Sequence, residues 1–185
     1  MDGAPPGFVY RPDFLTPDEE SGVLAGMARL DFHAVKMRGQ VARRRTAHFG
    51  WTYGYETWRI EPGPPIPEFL LALRPRAGAL GGVAGEDLVE ALVTHYPPGA
   101  GIGWHRDAPM FGVVVGVSLS GACRLRFQRG RGAERRTAAV VLEPRSAYVL
   151  VGAGRWQWQH SIPPGKAERY SVTYRTLRRS PRSVA

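Results

Sequence analysis

The C-terminal half of this 185-residue chain is a succession of short β-type segments separated by glycine and proline clusters. Such short strands at regular spacing predict a sandwich or a barrel. No other feature of the sequence constrains the fold as strongly. The predicted strands cover residues 88–96, 112–119, 124–128, 137–142, 148–151, 157–161 and 169–176.

Two helices are predicted before this β-rich half. Thr16, Pro17 and Glu19 have the spacing of a capping box with proline at the first helical position. Apolar residues then recur at helical spacing as far as Leu30. A second helix is expected near 68–73, and the glycine-rich stretch 77–85 is expected to be a turn or mobile connection. Helices packed on a β-rich half predict a mainly β fold with two N-terminal helices, a jelly roll.

The length is that of one domain. We expect it to cover residues 1–177, with the jelly-roll core at 88–177 and a disordered basic tail at 178–185. We expect the chain to act as a monomer. The first residues have neither a basic nor an apolar signal region, and no apolar run is long enough to cross a membrane.

The charge is strongly positive, with 25 Lys and Arg against 16 Asp and Glu, a net +9. Codon bias in a GC-rich genome can explain the abundance of Arg, Gly, Ala and Pro. A positive surface attracts polyanions in either case, so nucleic acid is a plausible partner. The single cysteine, Cys123, excludes an internal disulfide and zinc ribbons, and it favours a reducing compartment, the cytoplasm.

A candidate metal site begins at His105 and Asp107. On an extended segment two residues apart, both side chains point to one side and can reach one ion. His160 lies in a late predicted strand, and strands distant in sequence become neighbours in a jelly roll. Two His and one carboxylate that leave other positions open are typical of non-haem Fe(II) oxygenases. Taken alone, His160 is better explained as an ordinary core or rim histidine.

A second candidate site is the strand that carries Arg169 and Arg175. Both face one way by the two-residue period, with Cα atoms about 20 Å apart. Guanidinium groups match carboxylates, so this face fits an anion with a carboxylate at each end, such as a five-carbon keto-diacid. The alternative is two surface arginines in a basic protein.

A third candidate site combines basic and aromatic residues before the β-rich half. Arginines that hold phosphates next to rings that stack on bases are typical of nucleic-acid contacts. An ordinary strand with a solvated basic patch remains the alternative. The residues concerned are Arg43, Arg44, Arg45, Trp51, Tyr53 and Tyr55.

Four motifs together resemble the AlkB family of Fe(II)/2-oxoglutarate dioxygenases: Tyr96-X-Pro-Gly99, His105-X-Asp107, His160 and Arg169-X5-Arg175. The resemblance implies a double-stranded β-helix that uses Fe(II), 2-oxoglutarate and O₂. It implies His105, Asp107 and His160 as iron ligands. The Gly50-Trp51 and Gly54-Tyr55 pairs resemble, more loosely, the family's nucleotide-recognition lid, which would lie with the helical buttress in residues 1–87.

The resemblance also implies which residues contact 2-oxoglutarate. Tyr96 and Arg169 would bind it, Arg169 at the distal carboxylate, and Arg175 would lie nearer the metal. Thr94 and Ser171 stand where the family often has Asn, and we include both among the expected contacts.

The function that the resemblance implies is oxidative dealkylation of N-alkylated bases in DNA or RNA. In this reading the aromatic residues stack on a flipped base and Arg43 to Arg45 hold phosphates. Ala108-Pro109-Met110 follows the metal Asp where repair members tend to carry acidic residues. Two alternatives stay open: a protein side-chain hydroxylase or demethylase with the same iron site, and a non-catalytic jelly roll that binds nucleic acid.

Overall fold

The computed structural model describes residues 3–37, 40–54 and 59–178. The strands are β1 (Phe8–Arg11), β2 (His33–Met37), β3 (Gln40–Gly54), β4 (Arg59–Pro62), β5 (Leu88–Tyr96), β6 (Ile102–His105), β7 (Phe111–Leu119), β8 (Cys123–Arg129), β9 (Arg136–Leu142), β10 (Ala147–Leu150), β11 (Gln159–Ile162) and β12 (Arg169–Leu177). The helices are α1 (Pro17–Met27), α2 (Glu68–Leu71), α3 (Arg74–Gly81) and α4 (Gly152–Trp156).

The strands form two antiparallel sheets that confirm the predicted mainly β, jelly-roll architecture. The major sheet has the order β1-β10-β7-β12-β5-β3-β2, with β4 paired to β3. The minor sheet has the order β6-β11-β8-β9. Strands far apart in the chain, such as β5 and β12, therefore lie side by side.

Helix α1 begins at the predicted capping box. The Thr16 hydroxyl accepts a hydrogen bond from the Glu19 amide at 3.2 Å, and the Glu19 carboxylate accepts one from the Thr16 amide at 2.8 Å. Val23 and Met27 are buried on the sheet side. Gly26 lies so close to the Phe69 ring that a Cβ atom there would be 2.7 Å from it. A glycine is thus needed where α1 meets α2.

The central strands are buried on both faces, and the two-residue period sends alternate side chains to different places. On β12, Val172 and Tyr174 pack toward the helices, whereas Arg169 and Arg175 point to the space between the sheets. The Tyr174 hydroxyl donates to the Leu70 carbonyl at 2.8 Å and ties β12 to α2. The major sheet therefore keeps an apolar face for the helices and a polar face for a site.

A second apolar cluster lies between the two sheets, below that polar face. It contains Val114, Leu125, Phe127, Leu142, Tyr148, Leu150 and Ile162. These residues come from both sheets, and Leu125, Tyr148 and Ile162 also line the space that holds the polar groups.

The helices differ from the prediction in two places. Residues 77–85, expected to be a turn, contain most of α3, which begins with Pro75 in its first turn and ends at Gly82 in the left-handed conformation (φ 67°). Proline and glycine at these ends favour a helix there. The strand predicted at 157–161 begins only at Gln159, after the single turn α4.

Two short strands were also missed, β4 and β6, the latter seen in sequence only as an extended segment. Among the described helices none is long and apolar enough to cross a bilayer; α1, with 11 residues, is the longest.

Candidate metal and co-substrate site

His105 and His160 lie opposite each other on neighbouring strands of the minor sheet. β6 and β11 are paired so that the two residues are Cα partners. Their ring centroids are 4.3 Å apart. Cross-strand partners point to the same face, which explains why residues 55 positions apart meet here.

Asp107 follows β6 and brings its carboxylate to the same place. Its Oδ2 atom lies 3.5 Å from Nε2 of His160. Two donors that each bind one ion at roughly 2.1 Å can be up to about 4.2 Å apart, so this separation suits a shared metal. Oδ2 is buried and has no hydrogen-bond partner among the described residues. A buried, unpaired carboxylate oxygen is costly unless something binds it.

Arg175 fixes the other oxygen of Asp107. It donates from Nε at 2.8 Å and from Nη2 at 2.6 Å to Oδ1, and from Nη1 at 2.6 Å to Glu90 Oε2. Burial acts to raise the pKa of Asp107, but the charge of Arg175, followed by His160 and His105, holds that pKa well below its usual range. Asp107 is thus an anion held in one orientation.

Both imidazoles are neutral near pH 7, as metal ligands must be. Burial lowers the pKa of His160 to about 4, although the Asp107 charge opposes this. Burial also lowers the pKa of His105. The Gly103 carbonyl oxygen lies 2.8 Å from His105 Nδ1, so Nδ1 carries the proton and Nε2 keeps its lone pair.

These donors form an open group. Within residues 3–37, 40–54 and 59–178, no group of three or more His, Cys, Asp or Glu side chains is close enough together to hold a metal ion. His160 and Asp107 supply the close pair, and the ring of His105 lies beside His160. The donor chemistry, two neutral imidazoles and one orphaned carboxylate oxygen, fits a divalent iron with open positions.

Arg169 and its neighbours form a polar row next to the metal group. Register places Arg169 opposite Tyr96 and Ser171 opposite Thr94 on β12 and β5. Arg169 is 4% exposed, donates from Nε to the Ser118 hydroxyl at 3.1 Å, and lies 5.1 Å from the centroid of the Tyr96 ring. Its Nη1 has no partner in the described part of the chain. A buried guanidinium with an unused donor fits a carboxylate.

The two arginines among the expected 2-oxoglutarate contacts therefore differ in whether they keep a hydrogen-bond donor for the ligand. Arg169 has a donor to spare, whereas Arg175 directs its hydrogen bonds to Asp107 and Glu90. All five residues, with the three metal candidates, line one cavity of about 110 Å³ between the sheets: Tyr96, Thr94, Arg169, Ser171 and Arg175.

The residues expected to bind a nucleic acid do not lie together as the metal and co-substrate candidates do. Arg44 lines the same cavity, but Arg43 and Arg45 are exposed, because consecutive residues on β3 face opposite ways. Arg43 lies over the turn at Gly99, where an added Cβ atom would be 2.7 Å from its Nη1. Trp51 is half-buried and is not among the cavity's lining residues. Tyr55 and the side chain of Tyr53 lie outside the described residues.

Two residues of the site escaped the sequence analysis. Glu90 is 1% exposed and holds Arg175. The sequence indicated it only by a single acidic residue within a mostly apolar predicted strand. Arg155 is 2% exposed and donates to the carbonyls of Ala108, Phe111 and Gly112 at 2.8 to 3.1 Å. It holds the loop after Asp107, and no local pattern marked it.

Comparisons with known proteins agree with the fold and with the family resemblance of the sequence motifs. The family model of the 2OG-Fe(II) oxygenase superfamily matches residues 7–180. The chain is 28% identical over 206 residues to the "Alkylated DNA repair protein ALKBH8 homolog" of Arabidopsis thaliana, covering 97% of this chain and 57% of the relative. It is 33% identical over 128 residues to the "Probable RNA/DNA demethylase ALKBH6" of Danio rerio, covering 68% and 52%. The chain thus spans little more than half the length of these relatives.

A solved structure shares the fold. The structure of OsALKBH1 superimposes with a TM-score of 0.74 at 17% identity, covering 92% of this chain and 97% of that chain. At this identity the likeness concerns the fold alone.

Proposed function

Because the chain belongs to the 2OG-Fe(II) oxygenase superfamily, we propose that it oxidatively dealkylates N-alkylated bases of nucleic acid. The superfamily uses Fe(II), 2-oxoglutarate and O₂, which confirms the predicted enzyme class, a dioxygenase, and its cofactors. The bound cofactors would supply the oxidation of the N-alkyl carbon, after which the alkyl group leaves as an aldehyde.

One observation carries the proposal: two residues that line the same cavity each have a buried polar atom without a hydrogen-bond partner among the described residues. Asp107 Oδ2 beside His160 would bind iron together with His105, and Arg169 Nη1 would bind the distal carboxylate of 2-oxoglutarate. Arg175 and Glu90 would keep Asp107 ionised and oriented.

Nucleic acid is the proposed substrate for two reasons. Both relatives carry names that refer to alkylated DNA repair or to RNA/DNA demethylation, and this chain has a net charge of +9. Arg44 at the cavity and Arg43 and Arg45 beside it would contact phosphates. We also propose that the chain acts as a monomer in the cytoplasm; the single cysteine, Cys123, supports that location.

The test is incubation with Fe(II), 2-oxoglutarate and O₂ and a panel of N-methylated and etheno-adducted DNA and RNA oligonucleotides, followed by mass spectrometry. We expect loss of the alkyl mass from at least one substrate and none with His105→Ala. Intact adducts throughout, with 2-oxoglutarate still consumed, would reject the nucleic-acid substrate.

A protein side-chain hydroxylase is the second candidate. Its support is the sequence Ala108-Pro109-Met110, which offers no carboxylate to a base directly after Asp107. The same incubation with a peptide library separates the two, because only this candidate predicts oxygen incorporation into peptides.

A further inference from the structure

A group of exposed side chains lies on the loop that carries Asp107 and on the segments packed against it. We call it the rim patch; it consists of Arg106, Met110, Trp156 and Arg178. Trp156 is 38% and Met110 41% exposed, and both arginines are exposed. Large apolar side chains exposed next to cations mark contact surfaces more often than isolated ones do.

The rim patch is held together by specific contacts. The Arg178 guanidinium carbon lies 4.9 Å from the centroid of the Trp156 ring, and Arg106 Nη1 donates to the Trp156 carbonyl at 3.3 Å. The Arg178 amide donates to the Met110 carbonyl at 2.7 Å. A guanidinium that stacks on a ring keeps its N–H donors at the edge, where they can bind an anion.

The base of the rim patch is rigid. Arg155 is buried, lies 4.3 Å from the centroid of the Trp156 ring and holds the loop after Asp107 through three carbonyl oxygens. Because these contacts already order the arginines, a ligand would lose less conformational entropy on binding here.

The charge of this surface has one sign. In segments 104–112, 152–158 and 175–178 the only acidic residue is Asp107, which is buried and paired with Arg175. Arg106 stands between His105 and Asp107 in the chain, but its exposed side chain alternates to the other side, so its charge lies on the outer surface of the loop that carries the metal group.

We propose that the rim patch binds the phosphodiester backbone of a single-stranded nucleic acid, next to the nucleotide whose base enters the iron cavity. Arg106 and Arg178 hold phosphates, while Met110 and the part of the Trp156 ring that Arg155 and Arg178 leave uncovered offer an apolar surface to an adjoining base. This contact is additional to the arginines of β3, and it rests on the proposed function. The exposed aromatic and thioether surface favours a nucleic acid over an acidic peptide, which offers charge without rings.

The test compares the wild-type chain with Arg106→Gln/Arg178→Gln and with a matched control, Arg11→Gln/Arg29→Gln. Arg11 and Arg29 are exposed and lie on β1 and just after α1, so the control loses the same charge elsewhere. Binding of an unmodified, fluorescent single-stranded oligonucleotide is measured by anisotropy over a range of salt concentrations. Thermal melting confirms that each variant is folded.

We expect the rim variant to bind roughly tenfold more weakly at low salt, with a log Kd against log salt slope smaller by about 1.4, for two lost phosphate contacts on a single strand. The control keeps the wild-type slope, and Arg106→Lys/Arg178→Lys restores most of it because the charge remains.

Other outcomes overturn the inference in distinguishable ways. If the rim variant binds the oligonucleotide with the wild-type affinity and salt dependence, the rim patch is not a binding surface. The proposed function would then rest on the arginines of β3. If the rim variant loses affinity for a polyglutamate peptide but not for the oligonucleotide, the patch binds an acidic protein. No binding of any oligonucleotide by the wild-type chain would reject the proposed function as well.

Discussion

Arg175 donates twice to one oxygen of Asp107 and leaves the other oxygen facing His160. The same guanidinium is held by Glu90, its cross-strand partner on β5. Glu90, Arg175 and Asp107 thus form a hydrogen-bonded series that runs from the sheet to the metal group. Its consequence is that the free oxygen of Asp107 is aimed before any ion binds.

Replacing Arg175 should therefore affect metal binding even without 2-oxoglutarate. Arg175→Met leaves two buried carboxylates without their cation, and we expect a loss of about 3 to 5 kcal/mol in the free energy of unfolding. Arg175→Lys keeps the charge but not the two-pronged contact, and we expect about 10 to 100-fold weaker Mn(II) binding. Urea unfolding and calorimetric titration measure the two. Unchanged Mn(II) affinity in Arg175→Lys would show that Arg175 does not position Asp107.

Arg169 should matter for the co-substrate and not for the metal. Removing its spare donor in Arg169→Gln is expected to weaken 2-oxoglutarate binding roughly 30-fold, about 2 kcal/mol for the lost charge-assisted contact. Mn(II) affinity in the absence of 2-oxoglutarate stays the same. Titration of 2-oxoglutarate into the Mn(II)-loaded protein checks this, and equal affinity in both proteins would move the distal carboxylate away from Arg169.

Alkylation of Cys123 can report on binding at the Arg169 end of the site. It lines a second cavity, of about 200 Å³, together with Arg169. Burial raises the pKa of its thiol, although the Arg169 charge opposes this. A carboxylate bound at Arg169 would cancel the charge that favours the thiolate. We expect 2-oxoglutarate with Mn(II) to slow iodoacetamide alkylation of this only cysteine several-fold, read by mass spectrometry. Arg169→Gln should abolish the protection; equal rates with and without 2-oxoglutarate in the wild-type chain would contradict it.

The buried His160 makes the metal-free protein sensitive to acid. Burial lowers its pKa from 6.5 to about 4. The unfolded chain therefore binds this proton below about pH 6.5, whereas the folded chain does so only near pH 4. The free energy of unfolding should fall as the pH is lowered through that window. Urea unfolding at several pH values measures it, and His160→Gln should flatten the dependence. A variant with the wild-type pH profile would assign the loss to other groups.

Much of this arrangement was accessible from the sequence, because local patterns fix strands and capped helices. The strand at 88–96 and the capping box at Thr16 were predicted with their observed positions. So was the meeting of His160 with His105 and Asp107, since a jelly roll brings such segments together.

The parts that were missed depend on contacts with no local signature. Glu90 meets Arg175, 85 positions away, only because β5 and β12 pair in one register. α3 contains glycines that suggested a turn, yet the proline at its start and the left-handed Gly82 at its end define a helix. Arg43 to Arg45 looked like one basic patch, but a strand divides them between two faces.

The most direct test of the account is the titration of Mn(II), a redox-stable substitute for Fe(II), into the wild-type chain and into His160→Ala, with circular dichroism to confirm folding. We expect one ion per wild-type chain and more than about 100-fold weaker binding in the variant, since even the loss of a residue that only orients a metal ligand weakens metal binding about 10 to 100-fold. A wild-type chain that binds no ion, or a folded variant that binds one with unchanged affinity, would contradict it.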